Sequence, residues 1–169
     1  MVCYGVVDTQ NREQVNVFIR NRWFTTDMAI RGILVDLTKA EGFTACENGQ
    51  IIGLITYFVM GPVCEITSLD SLSEHRGIGS ALVSRVIDAA KKRGCSKIIL
   101  VTTNDNLGAM RFYQKRGFDM AHFYRNALDA SRRLKPKIPL TGDDGIPMKH
   151  EIEFEYQLSN GEAQSKKPN

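Results

Sequence analysis

Apolar positions change their spacing from segment to segment along this chain, and the changes predict an order of elements. Val15, Phe18, Ile19 and Trp23 recur at helical spacing with Arg12, Glu13 and Arg20 outside the stripe, which predicts a first helix capped by Asp8 or Thr9. Residues 25–41 keep no single period. Met28, Ile30, Ile33, Val35 and Leu37 hint at alternation while Gly32 interrupts any helix, so this stretch reads as loop with local structure. Strand patterns at 43–47 and 50–60 flank Asn48-Gly49, a two-residue hairpin signal. Gly61-Pro62 makes the next turn and 63–72 the next strand. From Ile78 a helix sets Leu82, Val86 and Ala90 on one face, with Lys91, Lys92 and Arg93 in its last turn and Gly94 as its stop.

Residues 97–103 are apolar and bounded, as in a strand covered on both faces. A short helix over 107–116 stops at Gly117; a strand over 118–123 and a helix over 126–134 follow. Pro136, Pro139, Gly142, Gly145 and Pro147 mark an irregular connection. The last strand alternates Ile152, Phe154, Tyr156 and Leu158 with Glu151, Glu153, Glu155 and Gln157, the clearest strand pattern in the chain. An antiparallel meander followed by strand-helix-strand-helix-strand is an α/β order. It predicts a single mixed, mostly antiparallel central sheet flanked by helices on both faces. One domain is expected over 1–158, with the polar residues 159–169 as a disordered tail.

Composition narrows the function classes. A chain of 169 residues, 43% hydrophobic and 24% charged, suits one ordinary globular domain. Its net charge of +3 is small and its basic residues are scattered, which argues against a nucleic-acid partner. Cys3, Cys46, Cys64 and Cys95 form no Cys-x-x-Cys pair and have no histidine partner spacing, so reduced thiols and no metal are expected. His75, His122 and His150 stand in no partner pattern either. No run is long and apolar enough to span a membrane, and the N-terminus lacks a signal-peptide layout; a cytoplasmic protein without a membrane partner is expected.

The candidate chemistry lies where the strand at 63–72 gives way to the helix. Gly77 and Gly79 allow a tight bend and close approach of a ligand, and the helix behind them opens with unpaired N–H groups and a positive dipole end. The amides of Arg76, Gly77, Ile78, Gly79, Ser80 and Ala81 therefore suit a phosphate, with Arg76 able to add a charge-assisted bond. A nucleotide-binding strand-turn-helix would want a third glycine where Leu82 stands, and a Walker-type loop would want Gly-Lys-Ser/Thr; both are missing.

About thirty residues on, Asn106, Ala109, Tyr113, Gly117 and Phe118 fit Asn-x-x-Ala-x-x-x-Tyr-x-x-x-Gly-Phe without a gap. With the glycine loop upstream, the chain resembles the GNAT superfamily of acyl-CoA-dependent N-acyltransferases, chiefly over 42–118. The family's Gln/Arg-x-x-Gly-x-Gly/Ala signature fits in two registers. Glu74-x-x-Gly77-x-Gly79 keeps the glycine spacing and helix phase, and Arg76-x-x-Gly79-x-Ala81 keeps the letters. The resemblance implies a GNAT-like fold, acetyl-CoA as co-substrate, and transfer of its acetyl group to a primary amine of a small molecule or peptide. It also implies that Asn106 and Ala109 hold the pantetheine arm, that Leu69, Asp70, Ser71 and Leu72 pair with it as an added strand, and that the Tyr113 hydroxyl faces the thioester sulfur.

The chemistry of the reaction fits these types. Tyr113 shares a helix face with Ala109, and a phenol with a reference pKa near ~10 stays protonated at neutral pH and can serve the departing thiolate. An alkyl amine is almost entirely ammonium at pH 7 and needs a base. Some family members carry a catalytic glutamate where Glu65 stands, which makes it the candidate base. Asp70, five residues on, would face the other side of an unbroken strand, though the family's bulge in this strand would disturb that parity. Trp23, Arg31 and Asp36 fall where the family builds acceptor sites, and 135–147 is a candidate wall. The alternative is a non-catalytic acyl-CoA sensor on the same fold. Exposed sheet edges and family habit suggest a homodimer.

Overall fold

The computed structural model describes residues 1–73 and 76–158. Its strands are β1 (Cys3–Val6), β2 (Asp27–Ile30), β3 (Ile33–Asp36), β4 (Glu41–Glu47), β5 (Gln50–Met60), β6 (Val63–Ser71), β7 (Lys97–Thr103), β8 (Asp119–Tyr124) and β9 (Glu151–Gln157). Its helices are α1 (Arg12–Trp23), α2 (Ile78–Lys92), α3 (Leu107–Gln114) and α4 (Ala127–Leu134). Seven strands form one sheet in the order β1-β4-β5-β6-β7-β9-β8, antiparallel throughout except for the β6–β7 pair. This is the expected mixed, mostly antiparallel sheet. Asn48 and Gly49 turn the β4–β5 hairpin at φ values of 51° and 76°, the doubly left-handed turn that this dipeptide favours.

Two apolar layers hold the sheet. Leu82, Val83, Val86 and Ala90 of α2 pack with Ile55, Ile66, Ile98, Leu100 and Phe154, and Tyr113 of α3 joins this layer. Val15, Phe18 and Ile19 of α1 pack with Leu37 and Leu54 on the opposite face. The helical spacings read from the sequence are thus the buried faces of α1 and α2.

Several expectations are corrected. Residues 3–6 form an unforeseen strand that extends the sheet beyond β4. The N-cap of α1 is Asn11; Asp8 instead accepts from the amides of Gln10 and Asn11 at 2.8 and 3.1 Å, bracing the turn before the helix. Part of the stretch read as loop over 25–41 is a β2–β3 hairpin turning at Arg31-Gly32, with φ of 50° and 71°. Gly32 is needed there twice over, for its conformation and because a Cβ would stand 3.1 Å from that of Ala130 in α4. Two of the glutamates that alternate along β9, Glu151 and Glu153, are buried at 3% and 6% exposed, while Gln157 at its end is exposed. As an interior strand between β7 and β8, β9 is covered on that face by the hairpin tip, a contact no local pattern records. Glu74, His75 and the expected tail over 159–169 lie outside the described residues.

Candidate active site

β6 and β7 pair only from Val63 to Ile66 and from Lys97 to Leu100. Beyond these residues β6 runs on to Ser71 and β7 to Thr103 without pairing to each other, so the sheet opens at its middle. A cleft of about 680 Å³ lies beside this opening, within the ~300–1,000 Å³ usual for ligand sites. Its walls are the start of α2, the face of α3 and the outer half of β6.

Gly77 is the N-cap of α2 at φ 74°, where a side chain would be strained although the space beside it is open. Gly79 stands in close quarters: a Cβ would meet the Phe112 ring at 3.1 Å, so the ring would have to give by a few tenths of an ångström. The helix's first backbone bond runs from the Ala81 amide to the Gly77 carbonyl at 3.0 Å. The amides of Ile78, Gly79 and Ser80 precede it and have no acceptor within the helix, and all three residues line the cleft. Three N–H groups at a dipole's positive end suit an anion such as a phosphate. Ala81, by contrast, spends its amide inside the helix.

Leu69 and Ser71 of β6, and Asn106, Ala109 and Tyr113 of α3, line the same cleft, so the two sequence motifs meet across it. Asn106 caps α3 by accepting from the Ala109 amide at 2.9 Å, which leaves its side-chain NH2 for another acceptor. Tyr113 is 6% exposed and packs edge-on to Phe112 and Phe118. Burial raises its phenol pKa above the ordinary value, and the charge of Asp70 adds to the rise. The hydroxyl therefore keeps its proton through the neutral range.

The remaining candidates sit elsewhere. Arg76 makes a two-pronged ion pair with Glu47 at 2.7 and 2.8 Å, so its charge is already matched. Leu72 is half-exposed and lines a groove beside α1. The side chains of Asp70 and Glu65 lie on the opposite face of the sheet. The register shifts between Thr56 and Tyr57 of β5, with Thr67 as the extra residue of β6. Thr56 Oγ1 consequently meets both the Thr67 and Ser68 hydroxyls, at 2.8 and 2.6 Å, so two successive residues face one side. The bulge cancels the odd spacing, and Glu65 and Asp70 share a face.

That face is unusually polar for the interior of a sheet. Glu65, Thr67, Ser68, Asp70, Glu151 and Glu153 are each less than a tenth exposed. Arg31, at the hairpin tip, contacts Glu65 at 2.7 Å and Glu153 at 3.5 Å, and its backbone amide donates to Glu151 at 2.9 Å. Tyr124 donates to Glu153 at 2.8 Å. Burial pushes the Glu151 pKa up, while the amide and charge of Arg31 pull it down. Trp23 Nε1 donates to Asp70 at 2.8 Å and Arg22 pairs with it at 3.3 Å. Asp36 has a structural task, accepting from the Thr38 amide at 3.0 Å.

The sequence reading missed Arg116, Arg111 and Phe112, which line the cleft together with Asp143 of the expected wall. Arg116 lies over the Phe112 ring at 3.4 Å and donates to Ser80 Oγ at 3.1 Å, tying α3 to the first turn of α2. Burial lowers its pKa. The available signal was the pair of arginines flanking the Tyr113 motif. Asp143 reaches the cleft because its amide donates to Asp105 at 3.1 Å, while Asn104 donates to the Pro147 carbonyl at 2.9 Å. Part of the connection expected to form a wall thus borders the site.

Among the described residues no helix is long and apolar enough to cross a membrane. The chain is 46% identical over 138 residues to the uncharacterized protein YdhI of Bacillus subtilis, covering 81% of this chain and 86% of that one. It is 37% identical over 86 residues to the N-alpha-acetyltransferase MAK3 of Arabidopsis thaliana, covering 48% and 45%. A crystal structure of a GNAT family acetyltransferase from Elizabethkingia anophelis with acetyl-CoA bound shares the fold, with a TM-score of 0.67 at 20% identity over 93% of this chain and 98% of that one. The family profile of the acetyltransferase (GNAT) family matches residues 9–118. With well over half of its length matched to that profile, the chain belongs to the GNAT family of acetyltransferases.

Proposed function

We propose that this protein transfers the acetyl group of acetyl-CoA to a primary amine of a small molecule or peptide. The observation that carries the reading is the alignment of three parts along one cleft: the open amides of Ile78, Gly79 and Ser80, the Asn106 side chain, and the Tyr113 hydroxyl. They match, in order, a pyrophosphate, an amide-bearing arm and a thioester sulfur. Acetyl-CoA in the similar Elizabethkingia structure and the N-alpha-acetyltransferase name of the Arabidopsis relative support the co-substrate and the reaction. Leu69 and Ser71, unpaired on the β7 side, offer backbone groups to an extended arm lying along β6, while Asp70 directs its own toward Leu54 of β5.

Tyr113 is the acid of this scheme. As the amine nitrogen bonds to the carbonyl carbon and the carbon–sulfur bond breaks, the phenol donates to the thiolate and recovers a proton from the new amide nitrogen. Its raised pKa makes free tyrosinate unfavourable, so the two transfers run together. Glu65, the candidate base, keeps a place on the acceptor side; its tie to Arg31 fits it to fix charge there. Buried carboxylates outnumber cations on that face, which suits an acceptor that arrives as a cation.

The test is thiol release from acetyl-CoA against spermidine, free amino acids, an aminoglycoside, and peptides with free N-termini or lysines. Release with one class supports the reading and names the acceptor. Acetyl-CoA binding without release to any amine would favour a sensor, and no binding would overturn the reading entirely.

A further inference from the structure

We propose that the Asp70 side chain is the acceptor-side catalytic carboxylate, binding the incoming ammonium and taking its proton, with Trp23 as its positioning residue. The inference rests on the N-acetyltransfer reading. It concerns a residue whose neighbours Leu69 and Ser71 line the cleft while its own carboxylate lies across the sheet from it.

Position is the first argument. A thioester held near Tyr113 and Leu69 can meet an acceptor from the other face only where the strands part. Glu65 lies in the closed part of the sheet, with Ile99 of β7 beside it. Asp70 lies in the stretch of β6 that β7 no longer pairs, and the bulge at Thr67 turns it to the acceptor side. The two carboxylates share a face, and only Asp70 stands at the opening. Its closeness to the cleft is felt electrostatically, since Asp70 contributes to the raised pKa of Tyr113.

Partners are the second argument. Glu65 and Glu153 are engaged by Arg31, and Glu153 also by Tyr124. Asp70 has a side chain 7% exposed, with one oxygen held by Trp23 Nε1 at 2.8 Å and the other near Arg22 Nε at 3.3 Å. A carboxylate has about four acceptor sites, so roughly two remain for an ammonium. Trp23 is itself 40% exposed at the end of α1, which leaves an approach beside the pair. The indole N–H fixes the carboxylate's plane without adding charge. Arg22 of α1 and Tyr113 of α3 are the titratable groups found beside Asp70, while β5 presents Leu54 and Thr56 on this face.

The step balances simply. Asp70 takes one proton from the ammonium and later yields it to solvent. The neutral nitrogen forms the new carbon–nitrogen bond, the carbon–sulfur bond breaks, and the second nitrogen proton ends on sulfur by way of Tyr113.

The experiment compares wild type, Asp70→Asn and Trp23→Phe across pH 6.5–10, using the panel amine that the wild type turns over fastest, with acetyl-CoA affinity and Tm recorded for each. Asparagine keeps an oxygen for Trp23 and loses the charge. Asp70→Asn should lower kcat by about 10²–10³-fold at pH 7 with acetyl-CoA affinity unchanged, within the ~10²–10⁴ usual for general-base catalysis. The deficit should shrink as pH approaches the amine's own pKa, where neutral amine no longer needs a base. Trp23→Phe, with the carboxylate intact, should lower kcat about tenfold. A deficit of equal size at every pH, unchanged kcat, or a loss seen only in Tm would overturn the proposal. Absence of wild-type turnover would remove the underlying reading instead. If Asp70→Asn fails to bind acetyl-CoA, Trp23→Phe decides, and unchanged kcat there overturns the assignment.

Discussion

Replacing Arg31 with methionine tests the buried charge cluster most directly. Its guanidinium contacts Glu65 at 2.7 Å and Glu153 at 3.5 Å, and Glu151 accepts from its backbone amide. Methionine keeps much of the aliphatic stem and the amide but removes the positive charge. Three glutamates, each at most 6% exposed, would then share the site without that cation. Breaking a buried ion pair from one side costs about 3–5 kcal/mol. The Arg31 side chain is 26% exposed, so the lower end applies, about 3 kcal/mol. For a chain of this length that is a fall in Tm of about 6–12 °C.

The sign with pH follows from Glu151, whose folded pKa burial already raises and Arg31 restrains. Without the charge it rises further, so the variant takes up a proton on folding. A group with a raised folded pKa is least costly below its unfolded value, near ~4.3, and the penalty grows as pH rises through the folded value. Thermal unfolding followed by circular dichroism should therefore show a large deficit at pH 7 and a smaller one at pH 5. Arg31→Met/Glu65→Gln should recover at least about 1 kcal/mol through coupling. A deficit under about 1 kcal/mol at pH 7, or one that ignores pH, would refute the claim that this guanidinium balances the cluster.

Three further outcomes are expected. Tyr113→Phe should lower turnover by at least about 10²-fold while acetyl-CoA affinity changes little, and equal losses in both would make the tyrosine a packing residue. Gly79→Val should weaken acetyl-CoA binding in calorimetry by tenfold or more, because a Cβ already meets the Phe112 ring at 3.1 Å; an unchanged Kd would separate the loop from the ligand. Cys64 is fully buried and its thiol pKa is pushed up to about 12. The unfolded chain ionises this thiol near ~8.5 and the folded chain does not, so stability should fall as pH rises from 8.5. At pH 10.5 the loss is about 2–3 kcal/mol, and Cys64→Ala should flatten that slope in Tm against pH. A variant as steep as wild type would show that the alkaline loss arises elsewhere.

Much of the architecture was legible because its signals are local. Asn48-Gly49 determines its turn through backbone sterics, and the stripes of α1 and α2 are periodic enough to name their buried faces. The two motifs that meet across the cleft were legible for the same reason, since a helix opening and a helix face are each made by neighbours in sequence. The hairpin over 27–36 was not, because four-residue strands whose burial does not alternate leave no clean period, and its turn at Arg31 relies on an anchor at Glu151, 120 residues away.

What the sequence by itself determined is the cleft side of this protein: the glycine bend, the open helix end, and Asn106 and Tyr113 on one helix. Local backbone chemistry produces each of these wherever the segment folds. Only tertiary structure decided the polar face across the sheet from the cleft. A one-residue bulge in β6 turned Asp70 and Glu65 to a common face. The hairpin then closed over β9 and buried Glu151 and Glu153. Side-chain parity depends on strand register, and burial depends on what packs above a strand. Both are settled by contacts between distant segments, which a local pattern does not contain.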